Sequence, residues 1–282
     1  MPETLNRRAD PDRNMQILVP VTDAASVDDE FEIEGLDIDR RYLTYELNEW
    51  DDYAVEEAVQ ISEAVDDVEV VVASVGPERV EESIRQALAK GADRAVRVWD
   101  DDLAGRDLLD ARTKAALLAG VAEDVDPDLV LTGVQSGDAG FAATGVTLAE
   151  RLGFEWAAVV NRLDLDLEAE QSEAGVAHVH RELEGGVDEV TDVELPAVLT
   201  IQTGINEPRY ASLRGIRQAQ NKPLDVRSAA DVGVDAAALD SPLRWTDTYE
   251  PETESEATVF EGDAEETVGQ LAAVLREKGV GQ

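Results

Sequence analysis

The chain has 282 residues, of which 63 are Asp or Glu and 24 are Lys or Arg, giving a formal net charge of −39. A field this anionic repels phosphate backbones and excludes a general nucleic-acid binder, while a 43% share of hydrophobic residues excludes a chain disordered throughout. With no cysteine there is no disulfide framework, no thiolate nucleophile and no cysteine-ligated metal.

No apolar run approaches the roughly 20 residues that cross a bilayer, and the N-terminus has no hydrophobic signal core. The expectation is a cytoplasmic protein that is not membrane-embedded. Lysine is scarce, and the excess of acids resembles that of proteins from a salt-rich cytoplasm, where screening shortens the reach of self-repulsion.

In chain order, residues 1–14 are polar and read as a flexible extension. A strand begins at Met15, where Gln16-Ile17-Leu18-Val19-Pro20-Val21 is a short apolar run ending in turn-forming Thr22-Asp23. From 51 to 65, Ala54, Ala58, Ile61 and Val65 share a helical stripe, and Asp51 and Asp52 favour the positive N-terminal end. Residues 68–75 are nearly continuous valine, the pattern of a parallel strand covered on both faces. Pro77 opens the next helix, Val80, Ile84, Ala87 and Leu88 form its buried stripe, and Gly91 closes it.

A strand at 95–98, a helix near 111–123, a strand at 129–132 and a helix beginning between Ala139 and Thr144 and ending at Leu152 continue the alternation. Such alternation specifies an α/β fold with a doubly wound, mostly parallel, Rossmann-like sheet. After Trp156 the texture changes: 159–167, 176–183 and 187–195 alternate as antiparallel strands, with Glu184-Gly185-Gly186 as a hairpin turn. A further strand reads over 195–201. Beyond about Pro223 the chain turns loop-like and acidic, with a run at 250–256, before an amphipathic helix over 264–278. The expected organisation is the extension 1–14, an α/β domain over 15–225, and an acidic C-terminal arm over 226–282 with too little core to fold alone.

The segment Thr132-Gly133-Val134-Gln135-Ser136-Gly137-Asp138-Ala139-Gly140 joins a strand to a helix. Its glycines let backbone N–H groups approach a ligand, and the helix N-terminus adds partial positive charge, which makes phosphate the natural guest. In a doubly wound sheet such loops lie at the carboxyl edge, where ligands bind. The same segment also reads as a tight turn that merely starts a helix, and without GxGxxG or GxxxxGK[ST] the spacing leaves both readings open. No lysine lies in it, which argues against a P-loop NTPase.

His178 and His180, the only histidines, fall on one strand face; lacking a third ligand they read as a solvated face rather than a metal clamp. Acid pairs carry little information among 63 acids, and no nucleophile elbow is present. Neither a catalytic residue nor a metal site is expected.

Arg181-Glu182-Leu183-Glu184-Gly185-Gly186, then Leu195-Pro196-Ala197-Val198, then Asn206-Glu207-Pro208-Arg209-Tyr210-Ala211-Ser212-Leu213-Arg214-Gly215-Ile216 closely resembles the signature of the electron transfer flavoprotein beta subunit, also called the FixA family. Val55-Glu56-Glu57-Ala58-Val59 and the stretch from Ala87 through Lys90, Gly91 and Asp93 to Ala95 are also similar to that family, so the resemblance covers about residues 15–225.

The resemblance implies a heterodimer whose alpha subunit holds the redox-active FAD. The chain would be an electron carrier's subunit rather than an enzyme, passing electrons from flavin dehydrogenases to a quinone-reducing flavoprotein. Family beta subunits hold AMP in the conventional type or a second FAD in the electron-bifurcating type. Carried over residue by residue, that site takes Pro20, Asn48, Glu49, Trp50, Asp51 and Val75. It continues through Gly133, Val134, Gln135, Ser136, Gly137, Asp138, Ala139, Gly140, Phe141, Ala142, Ala143 and Thr144, the loop that spacing singles out.

Trp50 stands where the family places an aromatic close to the alpha-subunit flavin, with core packing as the alternative. Asn206, Pro208, Arg209, Tyr210, Leu213, Arg214 and Ile216 would form the partner-docking surface. Leu213 matches the leucine that the family presents to dehydrogenases, Arg209, Arg214 and Arg217 supply a charged rim, and burial at a helix start is the alternative for Leu213. This chain departs from the family in carrying Ala139, Gly140, Ala142 and Ala143 where polar side chains are usual. Backbone amides, Ser136, Asp138 and Thr144 are left for polar recognition, and Thr22 replaces a typical basic residue. The rivals are a stand-alone adenine-nucleotide module of the stress-protein kind, against which segment 206–216 argues, and an adenylating enzyme, of which Gln135-Ser136-Gly137-Asp138 is a faint echo.

Overall fold

Ile17, Leu18 and Val19 are all fully buried, yet Leu18 belongs to a different core from its neighbours, because successive side chains of a strand point to opposite faces of a sheet. The computed structural model describes residues 14–169, 172, 174–251 and 257–279. Its elements are β1 (Met15–Pro20), β2 (Asp23–Val27), β3 (Ile33–Glu34), β4 (Asp37–Ile38), β5 (Leu43–Leu47), α1 (Glu49–Ala64), β6 (Val68–Val75) and α2 (Glu81–Lys90). They continue as β7 (Arg94–Val98), α3 (Asp101–Ala104), α4 (Ala111–Val125), β8 (Leu129–Gly133), α5 (Thr144–Leu152), β9 (Glu155–Val160), β10 (Arg162–Asp166), β11 (Val176–Leu183) and β12 (Val187–Glu194). The last are β13 (Ala197–Ile201), α6 (Leu213–Ala219), β14 (Leu224–Arg227) and α7 (Ala264–Glu277).

Seven strands form one sheet in the order β14-β7-β6-β1-β8-β13-β9, with every pairing parallel. The chain winds outward from β1 through β6 to β7, then crosses back to β8 on the other side of β1, so the sheet changes direction between β1 and β8. On one face Ile17, Val19, Val70, Val72, Leu129 and Leu131 meet Val55, Ala58, Ile84 and Leu88 of α1 and α2, together with Val179 and Val193 of the antiparallel sheet β10-β11-β12. On the other, Leu18, Val71, Ala73 and Val130 meet Leu117, Val121 and Leu148 of α4 and α5. Each large aliphatic side chain buried this way contributes about 1.5–3 kcal/mol, which is what a nearly unbroken valine strand needs on both of its faces.

Gly91 ends α2 as the sequence indicates; it sits at φ +150°, and a Cβ there would lie 2.7 Å from Val59 Cγ1, so the same residue lets α2 pack on α1. The 184–186 hairpin forms with Gly185 and Gly186 both at positive φ, joining Leu183 to its partner Val187.

Two boundaries differ from the sequence reading. The stretch 159–167 is not one antiparallel strand: β9 is a parallel edge strand beside β13, and the chain leaves it for β10 through Asn161. Val159 at φ +63° and a register shift between Leu199 and Ile201 supply the bend, an irregularity that strand periodicity does not encode. Likewise the arm does not begin at 226. β14 pairs with β7 across that position, and Ala229, Val232, Val234 and Leu239 are buried in the α4 core. The first compact unit therefore ends at Thr246 and the second begins at Asp247. These buried residues lie in turns and short segments with no period to reveal them. In the second unit Asp263 caps α7 by accepting from the Glu265 and Glu266 N–H groups, and Val268, Leu271 and Leu275 follow a helical stripe. Residues 1–13 of the expected extension and 252–256 of the acidic run lie outside the described residues.

Candidate functional site

A crevice with some 660 Å³ of open space lies at the carboxyl ends of β1, β6 and β8, where the sheet changes direction. Pro20, Val75 and Thr132 line it from the strands, Asn48 and Asp51 from the start of α1, Lys114 and Leu118 from α4, and the loop 133–144 closes it.

Two side chains of α1 build the loop. Asn48 is the N-cap residue, but its side chain does not cap the helix. Instead its Nδ2 donates to the Gln135 carbonyl at 2.8 Å and its Oδ1 accepts from the Gly137 N–H at 3.1 Å. Asp51, one turn on, accepts from the Thr22 N–H at 2.9 Å and the Gly133 N–H at 3.2 Å, tying the loops after β1 and β8 to one carboxyl group. Gly133 is required here, since a Cβ would fall 2.4 Å from Asp51 Oδ1 and 2.7 Å from Trp50 Cβ. Further along, Ala142 lines the crevice at φ +49°. A left-handed alanine costs about 1–2 kcal/mol, and strain of that kind gathers at ligand clamps. Burial pushes Asp51 up to about 7, against hydrogen bonds from Thr22, Asn48 and Gly133 and the positive charge of Lys114, which pull it down.

Most residues expected at the site come together. Pro20, Asn48, Asp51, Val75, Gly133, Val134, Gln135, Ser136, Ala139, Phe141, Ala142, Ala143 and Thr144 all line the crevice. Glu49, Trp50, Gly137, Asp138 and Gly140 do not. Glu49 is exposed in the first turn of α1. Asp138 accepts from the N–H groups of Ala25 at 3.2 Å and Ala139 at 2.7 Å, which holds it toward β2 rather than toward a ligand. Trp50 is half-buried at the carboxyl edge of the sheet, its Nε1 donating to Gln202 Oε1 at 3.1 Å.

Sequence reasoning missed Val21, Leu118 and above all Lys114. One signal was available: Lys114 heads the stripe Leu118, Val121, Val125 at helical spacing, a cation where an apolar residue is expected.

The segment 206–216 divides into tethers and exposed residues. Arg209 donates to both oxygens of Glu56, at 2.9 and 3.0 Å, and to both of Glu63, at 2.9 and 2.6 Å. Asn206 Nδ2 donates to the Tyr53 carbonyl at 3.1 Å and to Glu57 at 2.8 Å. Both side chains are thus turned to α1 and are not free as docking contacts. Burial pushes Glu56 up, but the hydrogen bonds from Arg209 outweigh it and hold the carboxyl below its usual range. Tyr210 is 98% exposed and Leu213 78%, with Arg214 and Ile216 also exposed and Pro208 partly so. Leu213 is therefore not buried at the helix start; Ser212 caps α6 instead, its Oγ accepting from the Gly215 N–H at 3.0 Å.

Removing Arg209 strands the buried Glu56 carboxylate. Arg209→Ala is expected to cost about 3 kcal/mol in urea unfolding, and Arg209→Lys to recover little of it, because an ammonium cannot reproduce the forked contacts. An unfolding midpoint equal to the parent's would show that the tether carries no stability.

His178 Nδ1 lies 2.6 Å from Asp192 Oδ1, its cross-strand partner, an arrangement that raises the imidazole's affinity for a proton. Among the described residues no group of three His, Cys, Asp or Glu could hold a metal ion, and no helix is long and apolar enough to cross a membrane.

A parallel sheet wound both ways from β1, with a glycine-hinged loop over its switch point, defines a doubly wound α/β protein of the class whose ligands bind in such crevices. The family follows from comparison. Residues 35–232 match the model of the electron transfer flavoprotein domain. The chain is 46% identical over 269 residues to the electron transfer flavoprotein subunit beta of Methylophilus methylotrophus, spanning 93% of this chain and 98% of that protein. It is 34% identical over 235 residues to the corresponding subunit of Bradyrhizobium diazoefficiens, spanning 83% and 89%. It is also 33% identical over 238 residues to the caffeyl-CoA reductase-Etf complex subunit CarD of Acetobacterium woodii, spanning 83% and 87%. The chain belongs to the electron transfer flavoprotein beta-subunit family, which is flavin-associated, and its role is that of an electron carrier's subunit rather than of an enzyme.

Proposed function

We propose that the chain pairs with an alpha subunit carrying the redox-active FAD, holds an adenosine-phosphate unit in its own crevice, and presents a docking loop to flavin dehydrogenases in the cytoplasm. Electrons pass from those dehydrogenases to the flavin and on to a quinone-reducing flavoprotein. When bound, the flavin supplies the electron chemistry; this chain's residues bind, orient and shield.

The observation that carries the reading is the loop 133–144, bent over the crevice by Asn48 and Asp51 and leading into the N-terminus of α5. Backbone N–H groups and the helix dipole suit a phosphate there, and apolar Pro20, Val21, Val75, Leu118 and Phe141 suit the rest of a nucleotide. The fit is to AMP, or to the AMP half of a second FAD. Trp50, held by Gln202 at the sheet edge, would pack on the partner's flavin. The stripe of α7 suits an arm lying on the alpha subunit.

For docking, a rigidly tethered segment displays Tyr210, Leu213 and Ile216, an apolar patch rimmed by Arg214 and Arg217. Leu213→Ala is expected to slow electron delivery from a dehydrogenase about tenfold or more, while stability stays within about 0.5 kcal/mol of the parent. Rapid-mixing kinetics and an unfolding curve check both; loss of flavin with unchanged docking would mark Leu213 as structural. The reading as a whole is tested by co-expression with the alpha-type partner. A yellow one-to-one complex is expected, and a colourless homodimer that turns over ATP contradicts it.

A further inference from the structure

We infer that Lys114 is the residue that recognises phosphate in the crevice and selects phosphorylated over unphosphorylated adenosine. This rests on the reading of the crevice as a nucleotide site and adds to it a residue outside the glycine-rich loop.

Four other polar side chains at the crevice are engaged within the protein. Asn48 holds Gln135 and Gly137, Asp51 holds Thr22 and Gly133, Ser136 Oγ accepts from the Ala139 N–H at 3.3 Å, and Asp138 faces Ala25. All four shape the protein. They leave the ligand to backbone amides, the side chains of Gln135 and Thr144, and Lys114.

The chain has four lysines, Lys90, Lys114, Lys222 and Lys278. Lys90 is buried against Asp52, and Lys222 Nζ donates to the carbonyls of Leu88 at 3.1 Å and Ala92 at 2.5 Å. Lys114 differs: it is half-buried in the crevice wall one turn before Leu118, and among the described residues no ion pair fixes it. A lysine stem laid along an apolar wall delivers its ammonium to the nearest opening, and here that is the crevice. Its charge already acts on Asp51, which places it within electrostatic reach of the loop's first residue.

Charge makes the assignment specific. In a protein of net charge −39 a phosphate approaches against a repulsive field. Lys114 is the single Lys, Arg or His among the described lining residues, so it alone offsets that field where the anion binds. A partly desolvated ammonium–phosphate contact is stronger than a neutral hydrogen bond. An adenosine without phosphate gains nothing from it.

The test uses the full chain in complex with its alpha partner, freed of releasable adenine nucleotide. AMP and adenosine are titrated calorimetrically into the parent, Lys114→Gln and Lys114→Arg complexes, and FAD is measured as a competitor of labelled AMP. Lys114→Gln is expected to weaken AMP by about 10- to 100-fold, to leave adenosine within about twofold, and to be largely rescued by Lys114→Arg. FAD displacing AMP with the same sensitivity to Lys114→Gln identifies the dinucleotide as a second source of the phosphate; no displacement assigns the site to AMP. Equal losses for AMP and adenosine, or none for AMP, overturn the inference while the nucleotide site stands. A parent complex that binds none of the three overturns the nucleotide reading, and the inference with it.

Discussion

Between pH 4 and pH 8 the stability of Asp51→Asn relative to the parent is expected to move by about 4 kcal/mol in favour of the variant, from the rise of the Asp51 pKa from 3.8 to about 7. The cause is burial: Asp51 is 6% exposed, and the desolvation of its charge exceeds the help of its neighbours. A folded state that holds a proton its unfolded chain has released loses stability as pH rises through that window. The loss begins near the ordinary carboxylate value, grows toward pH 7 and is complete above it.

Asparagine does not titrate. It also cannot accept from both the Thr22 and Gly133 N–H groups, so at low pH the variant starts about 1–3 kcal/mol below the parent, and as pH rises the gap closes and then reverses. Urea unfolding of both proteins at a series of pH values in high salt, which damps the repulsion among the other acids, reads the difference directly. A difference independent of pH means that Asp51 is ionised throughout.

Gly133→Ala is expected to destabilise the fold by about 3 kcal/mol and to empty the crevice. The added methyl meets Asp51 Oδ1 at 2.4 Å, Trp50 Cβ at 2.7 Å and the Asp51 backbone nitrogen at 2.9 Å. None of these can retreat freely. Asp51 is held by Thr22, Trp50 by Gln202, and both belong to the first turn of α1, which must move off β8 as a unit. Gly137→Ala is the control, because its nearest obstacle is the Trp50 ring at 4.0 Å, and its cost is expected to stay near 0.5 kcal/mol. Thermal unfolding and nucleotide retention of the two variants separate a close backbone approach from a general loss of loop freedom. A Gly133→Ala protein as stable as Gly137→Ala contradicts the geometry.

What was legible in the sequence was whatever a local period or a single residue's chemistry expresses. The valine run of β6, the stripe of α2 and its glycine stop, and the 184–186 hairpin each follow from neighbouring residues. The glycine-rich loop was visible too, though not how it is held. Asn48 and Asp51 reach partners more than 80 residues away, at Gln135 and Gly133, and no spacing rule connects them.

β14 and β9 escaped recognition for a related reason. Both are edge strands of the sheet, half-covered, with mixed polar and apolar residues, and they are strands because β7 and β13 offer them a free edge. The placement of the crevice's polar side chains was legible only in part. Asp138 lies within the loop but faces β2, whereas Lys114 lies outside it but lines the cavity, because α4 runs past the carboxyl end of β1. Arg209 and Asn206 on the docking segment are a parallel case, since polar residues beside an exposed leucine serve here to fasten it to α1.

On the proposed reading this chain holds an adenine nucleotide and supports a flavin that belongs to its partner. The direct measurement is to purify the complex, denature it, and count flavin and adenine nucleotide per heterodimer, with the same count on this chain alone. The redox flavin is expected to be absent from the isolated chain and present in the complex, accompanied by one further adenine nucleotide, AMP or a second FAD. An isolated chain that carries the redox flavin and accepts and delivers electrons without a partner contradicts it.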